Sequence, residues 1–159
     1  MSKSCSCESC KQRCQTAPGW FKPGEVEKTA KFLKISLREL FKRYLSVDFW
    51  MADGIDIEED VFVLSPATID GSQGQVFSAD NRYGQCVFFQ NGQCVIHAVK
   101  PFECKAVDHN TSRQRGQILH EGVAKKWNKK DYQKQIEKLL GEKPEIPEDI
   151  SDSSSFGYY

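Results

Sequence analysis

The seven cysteines of this 159-residue chain form two clusters, and metal ligation is the first chemistry that they suggest. Four lie within the first fourteen residues, at Cys5, Cys7, Cys10 and Cys14. Three lie in the middle of the chain, at Cys86, Cys94 and Cys104. Because thiolates are preferred ligands of zinc and of iron-sulfur clusters, we expect one metal site to join the two clusters.

The first cluster contains a C-x2-C pair, Cys7 and Cys10, and Cys14 follows after three residues. This spacing lets a tight turn present two thiolates to one metal ion. The neighbouring residues are polar, which disfavours the alternative that these cysteines serve as small buried hydrophobes. We therefore predict all three as ligands. Cys5 lies nearest the terminus, where chains fray, and is a reserve ligand.

The second cluster lies on a predicted β-hairpin. Asn91-Gly92 stands between two apolar segments and favours a two-residue type I′ turn. This register pairs Phe89 with Cys94 and Cys86 with His97. Since side chains alternate between faces, Cys94 then lies on the other face unless the hairpin is bulged or strongly twisted. We predict both cysteines as ligands and His97 as a reserve.

The dipeptide Lys100-Pro101 predicts a short helix after the hairpin, because proline fixes φ at a helical value. Cys104 would then lie about one turn into this helix. Cys104 completes the predicted ligand set of Cys7, Cys10, Cys14, Cys86, Cys94 and Cys104.

Composition restricts the partners of the chain. The 22 basic and 22 acidic residues leave no net charge to attract nucleic acid or a membrane, so neither is expected. A basic face between Lys100 and Lys138 is read as solvated surface. No apolar run is long enough to span a bilayer, and the N-terminus lacks a signal-peptide core. We expect a cytoplasmic protein whose reduced cysteines bind a metal ion. A protein partner is left open.

The apolar pattern predicts a small single α+β domain, built from helices and short antiparallel strands around the Cys-rich metal site. Helices are expected from Glu25, after a Ser36–Glu39 capping box, from Thr111 or Ser112 towards Trp127, and from about Lys129 to Leu140 with Gly141 as the stop. Strands are expected at residues 47–51 and 61–64. The domain is assigned residues 1–141, and the acidic, Ser-rich segment 142–159 is expected to be a disordered tail.

The second cluster also carries a family resemblance. Its pattern is Gly92-x-Cys94-x-Ile96-His97-x-x-Lys100-Pro101-x-x-Cys104. It is similar to the G-x-C-x-I-Y-x-x-R-P-x-x-C-R motif of the YkgJ-type cysteine-cluster family. These bacterial proteins are described as zinc- or iron-chelating and carry a CxxCxxCC signature. The resemblance extends from Cys7 to Cys104 and implies a cofactor class rather than a reaction.

The chain departs from this family pattern in both clusters. Arg13-Cys14 stands where the family has two adjacent cysteines, so one usual ligand is missing. Cys5 or His97 could supply it. In the second cluster His97 replaces a tyrosine and Lys100 replaces an arginine.

Three functions are consistent with these residues. The first is a zinc protein in which four thiolates close the coordination shell, with a structural or regulatory role. The alternative is an iron-sulfur protein in electron transfer or redox sensing, since seven cysteines exceed what one zinc ion needs. The third is a thiol-dependent enzyme, which would use Cys86 with His97 or Cys104 with Asp108 and His109. No catalytic motif is identified.

Overall fold

Two groups of three helices flank four short strands along the chain. The computed structural model describes residues 8–52, 54–69, 71–107 and 110–148. Its α-helices are α1 Glu8–Thr16, α2 Glu25–Leu33, α3 Leu37–Tyr44, α4 Phe102–Ala106, α5 Arg113–Trp127 and α6 Lys130–Leu140. Its strands are β1 Leu45–Trp50, β2 Val61–Pro66, β3 Phe89–Gln90 and β4 Gln93–Cys94, and a 3-10 helix spans His97–Val99. This architecture confirms the predicted α+β class.

The antiparallel pair β1–β2 forms the centre of the hydrophobic core, with Val47 opposite Leu64. Each strand is buried at every position but one. Helices α5 and α6 pack on β2, and the backbone of Val47 bonds on its other side to Gln75 and Phe77. Both strands were predicted, and their boundaries are displaced by at most two residues.

The helices confirm the capping and stop signals in the sequence. The hydroxyl oxygen of Ser36 accepts the N–H of Glu39 at 3.1 Å, which caps α3 as expected. Ser112 caps α5 in the same way through Arg115. Gly141 follows α6 with a φ of 84°, the left-handed conformation that glycine adopts most readily.

The connection between α1 and α2 passes through the core. Trp20 and Phe21 are both fully buried there. The indole N–H of Trp127 donates to the carbonyl oxygen of Phe21 at 2.6 Å, which ties this connection to α5. Both aromatic side chains therefore form part of the hydrophobic core.

The turn of the small hairpin is confirmed. Asn91 and Gly92 have φ values of 52° and 78°, as a type I′ turn requires. Phe89 lies opposite Cys94 in the predicted register. The regular pairing extends over two residues of each strand, and the chain then enters the 3-10 helix that begins at His97.

The predicted pairing of Cys86 with His97 is wrong. Cys86 instead pairs with Thr68 in an antiparallel bridge. The N–H of Val87 donates to Ala67 O at 2.9 Å, so the residues around Cys86 extend the end of β2 rather than the hairpin. Backbone groups in a buried segment need partners, and the segment after β2 offers them. The sequence of the hairpin turn alone does not indicate this alternative pairing with Thr68.

The N-terminal cysteine cluster is helical where it is described. Helix α1 begins at Glu8 and contains Cys10 and Cys14, so the tight turn expected around the C-x2-C pair is not found from Glu8 onward. The intervening Lys, Gln and Arg residues are good helix formers. The separation of four residues between the two cysteines is close to one helical turn.

Candidate metal centre

Backbone hydrogen bonds connect the two cysteine clusters. The N–H of Cys86 donates to the carbonyl oxygen of Cys14 at 2.7 Å, and the N–H of Gly84 donates to that of Thr16 at 2.8 Å. Both carbonyl groups belong to the last turn of α1, where they lack partners within the helix. The end of α1 is therefore fixed to the middle of the chain.

Four segments each bring one cysteine to this junction. We call them the thiol cluster: Cys14 in α1, Cys86 in the segment beside Thr68, Cys94 in β4 and Cys104 in α4. None of the four is in a disulfide. Cys86 is buried and the other three are partly buried.

Burial and mutual repulsion raise the pKa of Cys86. Desolvation is the largest cause, because burial penalises the thiolate, and the nearby Cys104 is the next. Cys94 and Cys14 raise this pKa further, while a hydrogen bond from the backbone of Phe88 lowers it. The pKa of Cys86 lies well above its usual range. Its thiol is therefore protonated at neutral pH.

The same causes raise the pKa of Cys104 to about 12. Desolvation again contributes most, followed by Cys14, and Cys94 and Glu103 add smaller effects. A hydrogen bond from the backbone N–H of Gly19 acts in the opposite direction, since it stabilises the thiolate. Cys14 and Cys94 thus each lie close enough to Cys86 and Cys104 to affect them electrostatically.

These pKa values weigh against the thiol enzyme. A catalytic cysteine needs a lowered pKa, because the thiolate is the nucleophile. The pKa values of Cys86 and Cys104 are raised instead. Cys86 also lacks the predicted β-pairing with His97, and the other proposed partners, Asp108 and His109, lie outside the described residues.

The fit of a metal ion depends on donors and on space. Within the described ranges, no three His, Cys, Asp or Glu side chains are grouped closely enough to hold an ion as they stand. The donor chemistry does fit zinc or an iron-sulfur cluster, because four thiols share one neighbourhood. The backbone of Gly19 lies against Cys104 so closely that a Cβ at position 19 would be 2.9 Å from the Cys104 sulfur. Ligation would require the thiols to approach one another and to lose their protons.

The structure describes the remaining predicted ligands only in part. Cys5 and Cys7 lie outside the described residues, and Cys10 lies in α1 with a side chain that is not described. His97 begins the 3-10 helix and is partly buried. Its role as a reserve ligand stays a prediction.

Sequence reasoning missed a group of buried polar side chains next to Cys104. The carboxylate of Glu103 accepts the backbone N–H of Trp20 at 2.8 Å through Oε1. Its Oε2 lies 2.7 Å from Nδ1 of His120, within a hydrogen bond. The rings of Trp20 and His120 stack with centroids 3.4 Å apart. Nothing in the sequence assigned a role to Glu103 or His120.

This group continues to the sheet through the Trp20 indole. Its Nε1–H donates to Oδ2 of Asp48 at 2.8 Å. Oδ1 of Asp48 lies 3.0 Å from Nη2 of Arg82, in an ion pair whose side chains are almost completely buried. We call these five residues the buried polar network: Trp20, Asp48, Arg82, Glu103 and His120. The hydrogen-bonded pairs lie 17 to 83 positions apart in sequence, so no local motif reveals them.

Comparisons with known proteins return no relatives: no family model, no curated protein and no solved structure matches the chain. None of the described helices is long and apolar enough to cross a membrane. A function is therefore inferred from the sequence and structure of this chain alone.

Proposed function

We propose that this chain is a metal-binding protein with a cysteine site that joins α1 to the central segments. The ligands on the central side are Cys86, Cys94 and Cys104, and those on the N-terminal side are drawn from Cys7, Cys10 and Cys14. The observation that carries the proposal is the hydrogen bond from Cys86 N–H to Cys14 O, which connects the two clusters.

Zinc is the metal that we propose first. Four thiolates fill its tetrahedral shell, leaving no position for substrate water, so the role would be structural or regulatory. A divalent cation would also offset the burial and the mutual repulsion that keep the thiols of Cys86 and Cys104 protonated. Binding would release protons and stabilise the folded chain.

An iron-sulfur cluster is the second candidate, and one observation favours it. Backbone N–H groups of Phe88 and Gly19 hydrogen-bond to the sulfurs of Cys86 and Cys104. Hydrogen bonds to ligand sulfurs are one of the means by which proteins set the reduction potential of such clusters. The seven cysteines would also supply enough ligands.

The family and the location belong to the same proposal. The resemblance of the second cluster to the YkgJ-type family supports a zinc- or iron-chelating role in a bacterial cytoplasm, where thiols stay reduced. His97 or Cys5 would replace the ligand that Arg13 displaces from the family pattern.

The test is to purify the protein anaerobically without chelator, record its visible spectrum and measure bound metals. A colourless protein with about one zinc ion per chain is expected. A brown protein with iron and sulfide would instead support the iron-sulfur candidate. A folded, metal-free protein would contradict the proposal.

Variants on the hairpin provide a matched control. Cys94→Ser should reduce the metal retained per chain, because the hydroxyl group is a poor substitute for a thiolate ligand. Val95→Ser changes the next residue, which is exposed, and should retain the metal of the wild type. Equal metal content in both variants would remove Cys94 from the ligand set.

A further inference from the structure

The backbone at Gly19 approaches Cys104 so closely that no side chain fits between them. A Cβ at position 19 would lie 2.9 Å from the Cys104 sulfur, 3.0 Å from Cβ of Glu103 and 3.1 Å from the backbone nitrogen of Cys104. The backbone φ angle of Gly19 is not in the positive range that favours glycine. The need for glycine here is therefore one of space rather than of backbone conformation.

Two consecutive N–H groups at this contact are directed at α4. The N–H of Gly19 hydrogen-bonds to the sulfur of Cys104, and that of Trp20 donates to Oε1 of Glu103. Two adjacent residues of the connection thus hold two adjacent residues of a helix that is only five residues long. A helix this short depends on tertiary contacts to keep its position.

The buried polar network holds the other side of this contact in place. The indole N–H of Trp20 donates to Asp48, and the indole ring stacks on His120. Glu103 lies within a hydrogen bond of His120. Trp20, Asp48, Glu103 and His120 are all buried. The N–H of Trp20 therefore belongs to a buried, hydrogen-bonded part of the core, and the partly buried Gly19 directly precedes it.

We infer that the backbone of Gly19 and Trp20 is a positioning element that holds the sulfur of Cys104 for metal binding. The inference rests on the proposed function. Hydrogen bonds around a first ligand shell orient the ligands, and their loss commonly weakens metal binding 10- to 100-fold. A methyl group at position 19 would displace the sulfur and leave its chemistry unchanged.

The test compares Gly19→Ala with Gly122→Ala, both in the full chain purified anaerobically. A Cβ at Gly122, in α5, would meet nothing within 4 Å, so the control adds the same methyl group in open space. The measurement is the chelator concentration that removes half of the metal that the protein holds as isolated. This readout serves for zinc and for iron.

We expect Gly19→Ala to lose its metal at a chelator concentration roughly 10- to 100-fold lower than the wild type requires. Gly122→Ala should behave as the wild type. Alkylation followed by mass spectrometry should show faster modification of Cys104 in Gly19→Ala than in either of the other two proteins. Equal metal retention in all three proteins would overturn the inference.

A second pair of variants separates lost positioning from a general loss of folding. Cys104→Ala removes the sulfur that the added methyl group meets first. If Gly19 acts through that sulfur, adding Gly19→Ala to Cys104→Ala should cause no further loss of metal retention. A further loss of 10-fold or more would assign Gly19 a role in folding alone and overturn the inference.

Failure of the inference and failure of the proposed function give different results. A wild-type protein without metal contradicts the proposed function, and the positioning role fails with it. If the wild type binds metal and Gly19→Ala holds it equally firmly, only the positioning role is contradicted.

Discussion

The thiol cluster and the buried polar network meet at residues 103 and 104, yet they satisfy their polar groups in different ways. In the network, Asp48 pairs with Arg82, and Glu103 accepts from Trp20 and lies within a hydrogen bond of His120. In the thiol cluster, burial and the neighbouring thiols raise the pKa values of Cys86 and Cys104, so that ionising one thiol opposes ionising the next.

This difference indicates which of the two regions depends on a bound cation. The network balances buried charges with groups of opposite charge and with N–H donors. In the thiol cluster, ionising a neighbouring thiol opposes the ionisation of Cys86 and Cys104, and a bound cation would offset that repulsion. We therefore expect the network to contribute equally with and without metal, and the thiol cluster to stabilise the fold more strongly when metal is bound.

The largest effect is expected from Asp48→Ala in the network. Removing the carboxylate breaks the buried ion pair with Arg82 and the hydrogen bond from the Trp20 indole, at a cost of about 3–5 kcal/mol. Urea unfolding should show the same loss for the metal-loaded and the chelated protein. A loss confined to the loaded protein would break the distinction between the two regions.

An exposed ion pair provides the control for this variant. Arg43 and Glu39 lie 2.7 Å apart on α3 with side chains about half exposed. Because solvent screens such pairs, Glu39→Ala should change the free energy of unfolding by only about 0.3–0.5 kcal/mol. A similar cost for both variants would mean that burial of the Asp48–Arg82 pair contributes nothing.

The next effect is the response of the metal-free thiol cluster to pH. Since folding raises the pKa of Cys104 to about 12, the unfolded chain loses this proton first as the pH rises. The contribution of Cys104 to the free energy of unfolding is fully present below about pH 9 and is lost progressively up to about pH 12. By pH 10.5 we expect a loss of about 1–2 kcal/mol from this group.

This pH effect is measured as a difference between the metal-free wild type and metal-free Cys104→Ala. The subtraction removes the contributions of lysine and tyrosine side chains that titrate in the same range. The metal-loaded wild type should lack the effect of Cys104, because a bound thiolate carries no proton to lose. Identical pH profiles for the wild type and the variant would contradict the prediction.

The smallest effect is expected at Glu103, where the two regions meet. Glu103→Gln keeps an oxygen for the N–H of Trp20 but removes the charge opposite His120, at a cost of about 1 kcal/mol. Urea unfolding measures it against Glu121→Gln, whose ion pair with Lys125 is partly exposed. If Glu103→Gln costs no more than this control, the contact between the two regions does not contribute to stability.

Local signals predicted most of the secondary structure. The Ser36 cap, the Gly141 stop and the Asn91-Gly92 turn each depend on backbone preferences within a few residues. They are therefore visible in the sequence. The strands β1 and β2 were also predictable, because each is a short run of mostly apolar residues bounded by turn signals.

The candidate site was only partly predictable. Cysteine spacing brought Cys14 and the central cysteines together as a hypothesis, but it gave the wrong β-partner for Cys86. That partner, Thr68, belongs to a segment whose pairing competes with the hairpin, and only the tertiary fold decides between them. Glu103 and His120 could not be found because their contacts join residues far apart in an otherwise polar sequence.

Reversible removal of the metal tests the central claim most directly. The protein is purified anaerobically, its metal per chain is measured, and its urea midpoint is recorded before chelation, after chelation and after the same metal is returned. We predict bound metal, a lower midpoint after chelation and recovery when the metal is restored, since binding to the folded chain stabilises it. A chain that unfolds at the same midpoint in all three states would contradict the account.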